Sequence, residues 1–138
     1  MCCLFKKKKL PTRAEISHND LRALLQAKFP VVPLYLSDNV FRLCDITDIE
    51  KFLDLDETNK IKYQAEKMDC DDFAYRLMGQ LSIPPWSNIA FGICWTDKHA
   101  LNLMVDNNGD IWFIEPQTDA CRSSLEDWQG SNVQFVIM

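Results

Sequence analysis

The run Met68-Asp69-Cys70-Asp71-Asp72-Phe73-Ala74-Tyr75-Arg76-Leu77-Met78 sets a cysteine in the first turn of an amphipathic helix. Asp69 is a candidate N-cap, and Phe73, Ala74, Leu77 and Met78 recur at helical spacing behind it. A thiol there lies near free backbone N–H groups and the positive end of the helix dipole. Both favour the thiolate, the form that attacks carbonyl carbon. Such a nucleophile needs a base, and the chain has two histidines, of which His99 opens the strand-like run His-Ala-Leu-Asn-Leu-Met-Val.

Glu115 ends the next strand-like run, Ile-Trp-Phe-Ile-Glu. The Asn-rich turn at 107–108 lies midway between 99 and 115, so a regular hairpin sets His99 and Glu115 close to opposite one another. A carboxylate there can fix the imidazole tautomer and stabilise the imidazolium. An oxyanion would need donors, and the backbone N–H of Cys70 and the side-chain amide of Gln64 are the candidates. Taken singly, each has a plainer reading: a surface His–Glu pair and a solvated glutamine.

These residues must be positioned by elements that period and punctuation outline. A first helix is predicted from Ser17 to Lys28, ended by Pro30 and Pro33, followed by an extended 31–36. A short strand over 41–45 and a helix over 48–55 come next. The helix carrying Cys70 then runs to about Leu81, and Pro84-Pro85 stops it. The last third changes to strand period: 89–95, 100–105, 111–114 and a closing strand over 133–138, with Asp106-Asn107-Asn108-Gly109-Asp110 as a hairpin turn. Helices followed by neighbouring strands give an α+β domain, its nucleophile-bearing helix packed on a small antiparallel sheet. Residues 1–12 read as a basic flexible tail and 13–138 as one domain, with a helical part over 13–82 and a sheet part over 88–138.

The 138 residues make one ordinary domain, 47% hydrophobic, and the net charge of −5 argues against a nucleic-acid partner. No run reaches the roughly 18 apolar residues of a membrane span, and no secretory leader is read, so a reducing cytoplasmic setting is expected. The cysteines at 2, 3, 44, 70, 94 and 121 form no CxxC pair, which fits free thiols better than a disulfide framework. Cys2 and Cys3 beside Lys6–Lys9 are compatible with acylation and an anionic membrane, although a solvated tail is the simpler account of residues 1–9.

Asp-Cys-Asp-Asp-Phe-Ala resembles the cysteine motif of bacterial transglutaminase-like cysteine peptidases. The order Gln64, Cys70, His99, Glu115 resembles that of the papain-like superfamily. The Cys-Asp-Asp and Glu-Pro-Gln segments look closer still to the papain-like domain attached to certain fungal agglutinins, whose active form uses calcium. The resemblance spans Gln64 to Asp119 and implies a papain-like fold. It makes Cys70 the nucleophile, His99 the base, Glu115 the orienting carboxylate and Gln64 an oxyanion donor. The papain-type Cys-Gly-Ser-Cys-Trp context is absent, and the chain is shorter than a typical papain.

The expected function is therefore that of a cysteine peptidase or amidase, acting on a peptide or protein through a thioester on Cys70. The alternatives are peptidoglycan amide hydrolysis and a catalytically inactive binding module. The chemistry requires no cofactor. Asp71, Asp72, Gln117 and Asp119 offer hard oxygen ligands that suit Ca²⁺ better than zinc, though the two adjacent acids also suit a helix first turn. Trp86, Trp95, Trp112 and Trp128 read as core or cleft wall, with Trp95 and Trp112 as candidates to flank the site.

Overall fold

A computed structural model describes residues 14–125 and 132–138. The 1–9 tail with Cys2 and Cys3, and Trp128, lie outside these. The first strand, β1 (Ala14–Ser17), leads directly into α1 (His18–Lys28), where the Ser17 hydroxyl caps the helix by accepting the Asp20 N–H at 3.1 Å. Next come β2 (Leu34–Tyr35), β3 (Val40–Leu43), α2 (Ile46–Leu53) and a 3₁₀ turn at Thr58–Lys60. The third helix, α3, spans Cys70–Gln80, so Cys70 is its first residue, as the capping pattern predicts. Then β4 (Phe91–Thr96), β5 (Ala100–Val105), β6 (Ile111–Glu115), β7 (Ala120–Arg122) and β8 (Val133–Ile137) complete the chain.

Strands β1 and β3 form a two-stranded sheet, and the other six are ordered β2-β8-β4-β5-β6-β7. The central strand β5 is buried along its whole length, which its near-continuous apolar sequence requires. Its side chains alternate between two cores. Leu101, Leu103 and Val105 pack with Leu21 and Leu25 of α1. Met104 packs instead with Ile49 and Leu53 of α2 and with Leu77 of α3. A leucine buried this way stabilises the fold by about 1.5–3 kcal/mol. Among the described residues, no helix is long and apolar enough to cross a membrane.

The expected papain-like α+β fold, a nucleophile helix on a small antiparallel sheet, needs correction. Among the described residues there are eight strands in two sheets against three short α-helices, and β2 joins β8 in parallel. The misreading has a physical source. Strands β1, β2 and β7 have four, two and three residues, too few for an alternating pattern to declare itself. Pairing partners distant in sequence, such as Ala14 with Leu43, leave no local signal at all.

Close approach of β4 and β8 requires the glycine at position 92, where a Cβ would lie 1.9 Å from the Ile137 carbonyl oxygen. Gly92→Ala should lower stability by about 3 kcal/mol or more, because backbone rather than a movable side chain would have to give. Urea unfolding checks this, and an unchanged midpoint would refute it.

Candidate functional site

Helix α3 packs on the sheet through Phe73, Ala74 and Leu77 and is tied to it by a buried amide. Asn102, in the middle of β5, donates both N–H groups of its side chain, one to the Ala74 carbonyl on α3 and one to the Gly92 carbonyl on β4, each at 3.0 Å. Cys70 lies one helical turn before Ala74 and is half-buried. Among the described residues its sulfur has no hydrogen-bond partner.

His99 sits in the turn between β4 and β5. The Thr96 hydroxyl organises that turn by accepting the Lys98 and His99 N–H groups at 3.2 and 3.0 Å, while the Thr96 N–H donates to the His99 carbonyl at 2.8 Å. The imidazole Nε2 meets Glu115 Oε2 at 2.5 Å, with side-chain exposures of only 11% and 16%. The other carboxylate oxygen accepts the Gln117 N–H at 3.2 Å. The ladder runs Asn102 to Ile114 and Val105 to Ile111, so it is centred one residue beyond the expected point. Continued, it sets Glu115 beside Leu101, and the His99–Glu115 pair closes diagonally across the strands. Gln64 is exposed on a tight loop before α3, closed by its backbone bonds to Met68 at 2.9 and 2.8 Å.

The expected oxygen ligands divide. Asp71 and Asp72 stand with Asp69, their carboxylates all within 4.8 Å of one another, and it is Asp69 rather than Gln117 or Asp119 that completes this group. Asp72 accepts the Asp69 N–H at 3.2 Å, and Asp69 accepts the Glu66 N–H at 3.3 Å. A hydrogen bond with Asp69, then burial, pushes the Asp71 carboxyl above the usual carboxylate range. Three such oxygens are hard donors of the kind calcium takes. Asp119 belongs elsewhere: it accepts from the Asn59 amide at 2.5 Å, and its carboxyl is raised by burial and by Asp56 and Asp54.

Beside the His99 turn stands an aromatic array. Phe135 of β8 stacks on Trp95 at 4.4 Å between centroids, and Tyr75 of α3 leans on Trp95 at 5.8 Å. Tyr75 remains 49% exposed. Sequence reasoning named Trp95 but missed Tyr75 and Phe135. The available signal was a lone tyrosine on the otherwise polar face of α3, one turn after Asp71. Trp112 does not flank this site, since its indole N–H donates to Asp106 at 2.9 Å at the far end of the hairpin.

No protein-family model matches the chain, and no curated protein sequence matches it. Solved structures do. A chain of PSL1a, solved as its E64 complex, superposes with a TM-score of 0.77 at 22% identity over 92% of this chain and 51% of that one. Polyporus squamosus lectin, solved with the human-type influenza-binding epitope Neu5Aca2-6Galb1-4GlcNAc, superposes with a TM-score of 0.74 at 20% identity, over 92% and 50%. The fold is shared with the matched half of each of these two chains. This chain spans about half the length of the structures it matches. The finding corrects the expectation of a papain-like or transglutaminase-like cysteine peptidase: one of the two neighbours is named as a lectin and was solved with a glycan. The assignments of hydrolase, thiol protease and catalytic triad are withdrawn with it.

Two outcomes follow from the geometry. Burial pushes the thiols of Cys44, Cys94 and Cys121 each up to about 12, so at pH 8 about one in ten thousand is thiolate. Iodoacetamide should therefore label Cys70 first among the four described cysteines, and peptide mapping that finds early label on Cys94 would contradict the burial. The second concerns Asp119. The folded chain holds its proton more tightly than the unfolded chain does, so this group makes stability fall as pH rises through its folded range. Asp119→Asn keeps an acceptor for Asn59 and suits the positive φ of 61°. It should raise the urea midpoint at pH 7 and lose that advantage near pH 3, whereas equal midpoints at pH 7 would show the carboxyl carries no penalty.

Proposed function

We propose that this domain is a non-enzymatic binding module whose ligand is a glycan. The observation that carries the reading is the partly exposed array of Tyr75, Trp95 and Phe135 beside the His99–Glu115 pair. A pyranose ring is apolar on its C–H faces and polar at its rim, so it pairs with a flat ring bordered by hydrogen-bonding groups. Phe135 covers one face of the Trp95 indole, which leaves the array little rotamer freedom to lose when a sugar arrives. His99, Glu115 and the Gln64 amide are the polar groups proposed for the rim, and Cys70 adds a small soft wall at the helix start. The glycan in the solved Polyporus squamosus lectin supports the class of ligand.

Titration of N-acetyllactosamine into the full chain, followed by NMR or calorimetry, tests this. Binding in the millimolar range is expected, with Tyr75→Ala weakening it about tenfold, the worth of one aromatic contact near 1.4 kcal/mol. Tyr75 is exposed enough that its removal leaves the core intact. Failure of every neutral and sialylated saccharide in a panel to shift any resonance would overturn the proposal. So would peptide hydrolysis by the chain that disappears in Cys70→Ala.

A further inference from the structure

We infer that Glu115 sets the hydrogen-bonding polarity of the site: it makes His99 present an acceptor, so the ligand must donate at that point. The inference rests on the proposed glycan function and names the ligand group that the His99 side of the rim requires. The two oxygens of Glu115 have separate partners. Oε1 accepts the Gln117 N–H at 3.2 Å, and Oε2 meets His99 Nε2 at 2.5 Å. A backbone N–H only donates and a carboxylate only accepts, so neither contact can reverse. In the neutral imidazole the proton therefore sits on Nε2, and Nδ1 is the bare nitrogen.

That nitrogen is available to a ligand. Among the described residues no group bonds Nδ1, and it is not sealed from solvent. The Thr96 hydroxyl holds the turn that carries the ring, and Ala100, the next residue, pairs with Trp95 of the aromatic array. A saccharide hydroxyl can donate to a bare imidazole nitrogen, and so can the N–H of an acetamido group. A methyl ether only accepts, and two acceptors face to face leave both unsatisfied.

Glu115→Gln isolates the effect, because it keeps the shape of the side chain and reverses one end. The Gln117 N–H still requires an oxygen, so the new amide turns its N–H groups towards His99 Nε2. Nε2 must then be bare, the proton moves to Nδ1, and the site presents a donor. Glu115 is thus a positioning residue that acts on the ligand through His99.

Ring nitrogen-15 resonances of the full chain at pH 8, assigned with His99→Gln, read the tautomer directly and need no ligand. They should show the proton on Nε2 in the wild type and on Nδ1 in Glu115→Gln. Titration of N-acetyllactosamine and its mono-O-methyl derivatives then reads the ligand. One derivative should bind the wild type about fivefold more weakly than the parent does, the worth of one hydrogen bond, and regain that factor in Glu115→Gln. The bulk of the methyl group is the same for both proteins, so the difference between them carries the result. An Nδ1 proton in the wild type, one tautomer in both proteins, or a panel that both rank alike would overturn the inference while leaving glycan binding standing. Absence of binding by every saccharide would remove the glycan function and this inference together.

Discussion

Asn102 is the one polar side chain in a strand otherwise made of Ala, Leu, Met and Val, and it is fully buried. A buried amide is costly unless hydrogen-bonded, and the same low polarity that makes it costly makes its bonds directional and strong. Here its two N–H groups reach carbonyls on two different elements, Ala74 on α3 and Gly92 on β4. An apolar side chain would bury equal area but supply no directional bond to add to the packing of Phe73, Ala74 and Leu77. The amide permits one register. Because Ala74 is fixed, so are Cys70 one turn before it and Tyr75 immediately after, and with them the carboxylates at the helix start.

From that contact a circuit of polar links closes around the same end of the molecule. Arg76 ties α3 to the Thr58 hydroxyl in the 3₁₀ turn. Asn59, in that turn, donates to Asp119. Asp119 follows β6, and its N–H donates to the Glu115 carbonyl at 2.8 Å. Glu115 reaches His99 at the head of β5, and β5 returns to α3 through Asn102. Apart from the local Asp119–Glu115 bond, each link joins segments well separated in sequence, so the site is held by bonds that no single element supplies. The aromatic array then rests on this frame at Trp95, where helix and sheet meet.

Local chemistry was legible in the sequence and long-range pairing was not. Ser17, the Asp69 cap and Gly109 (φ +82°) mark helix starts and a turn whose physics lies within a few residues, and the structure has them there. The proximity of His99 and Glu115 was also readable from hairpin symmetry, although the ladder is centred one residue later and the contact is diagonal. The second sheet, the parallel β2–β8 pair and the edge strand β7 depend on partners that no local pattern names. Tyr75 and Phe135 were overlooked for the same reason, since each becomes meaningful only through Trp95, which belongs to another element. The cysteine motif misled because acids flanking a helix-start cysteine look alike whether they serve a reaction or the helix end. Here Asp72 and Asp69 are bonded to backbone N–H groups.

The acidity of the middle of the chain resolves into two groups handled in opposite ways. Asp56 meets Arg76 and the Thr58 N–H, and Asp119 meets the Asn59 amide, so the first group is drawn into the circuit that holds the fold. Asp69, Asp71 and Asp72 take backbone donors and one another, and among the described residues no salt bridge joins them to a cation. Charge compensated by a guanidinium and an amide serves cohesion. Charge left at a helix start, one turn from an exposed tyrosine, acts on whatever approaches that tyrosine. Because Arg76 and Tyr75 are adjacent on α3 and point to different neighbours, a single helix both commits its cation to the interior circuit and leaves its aromatic ring in a negative field.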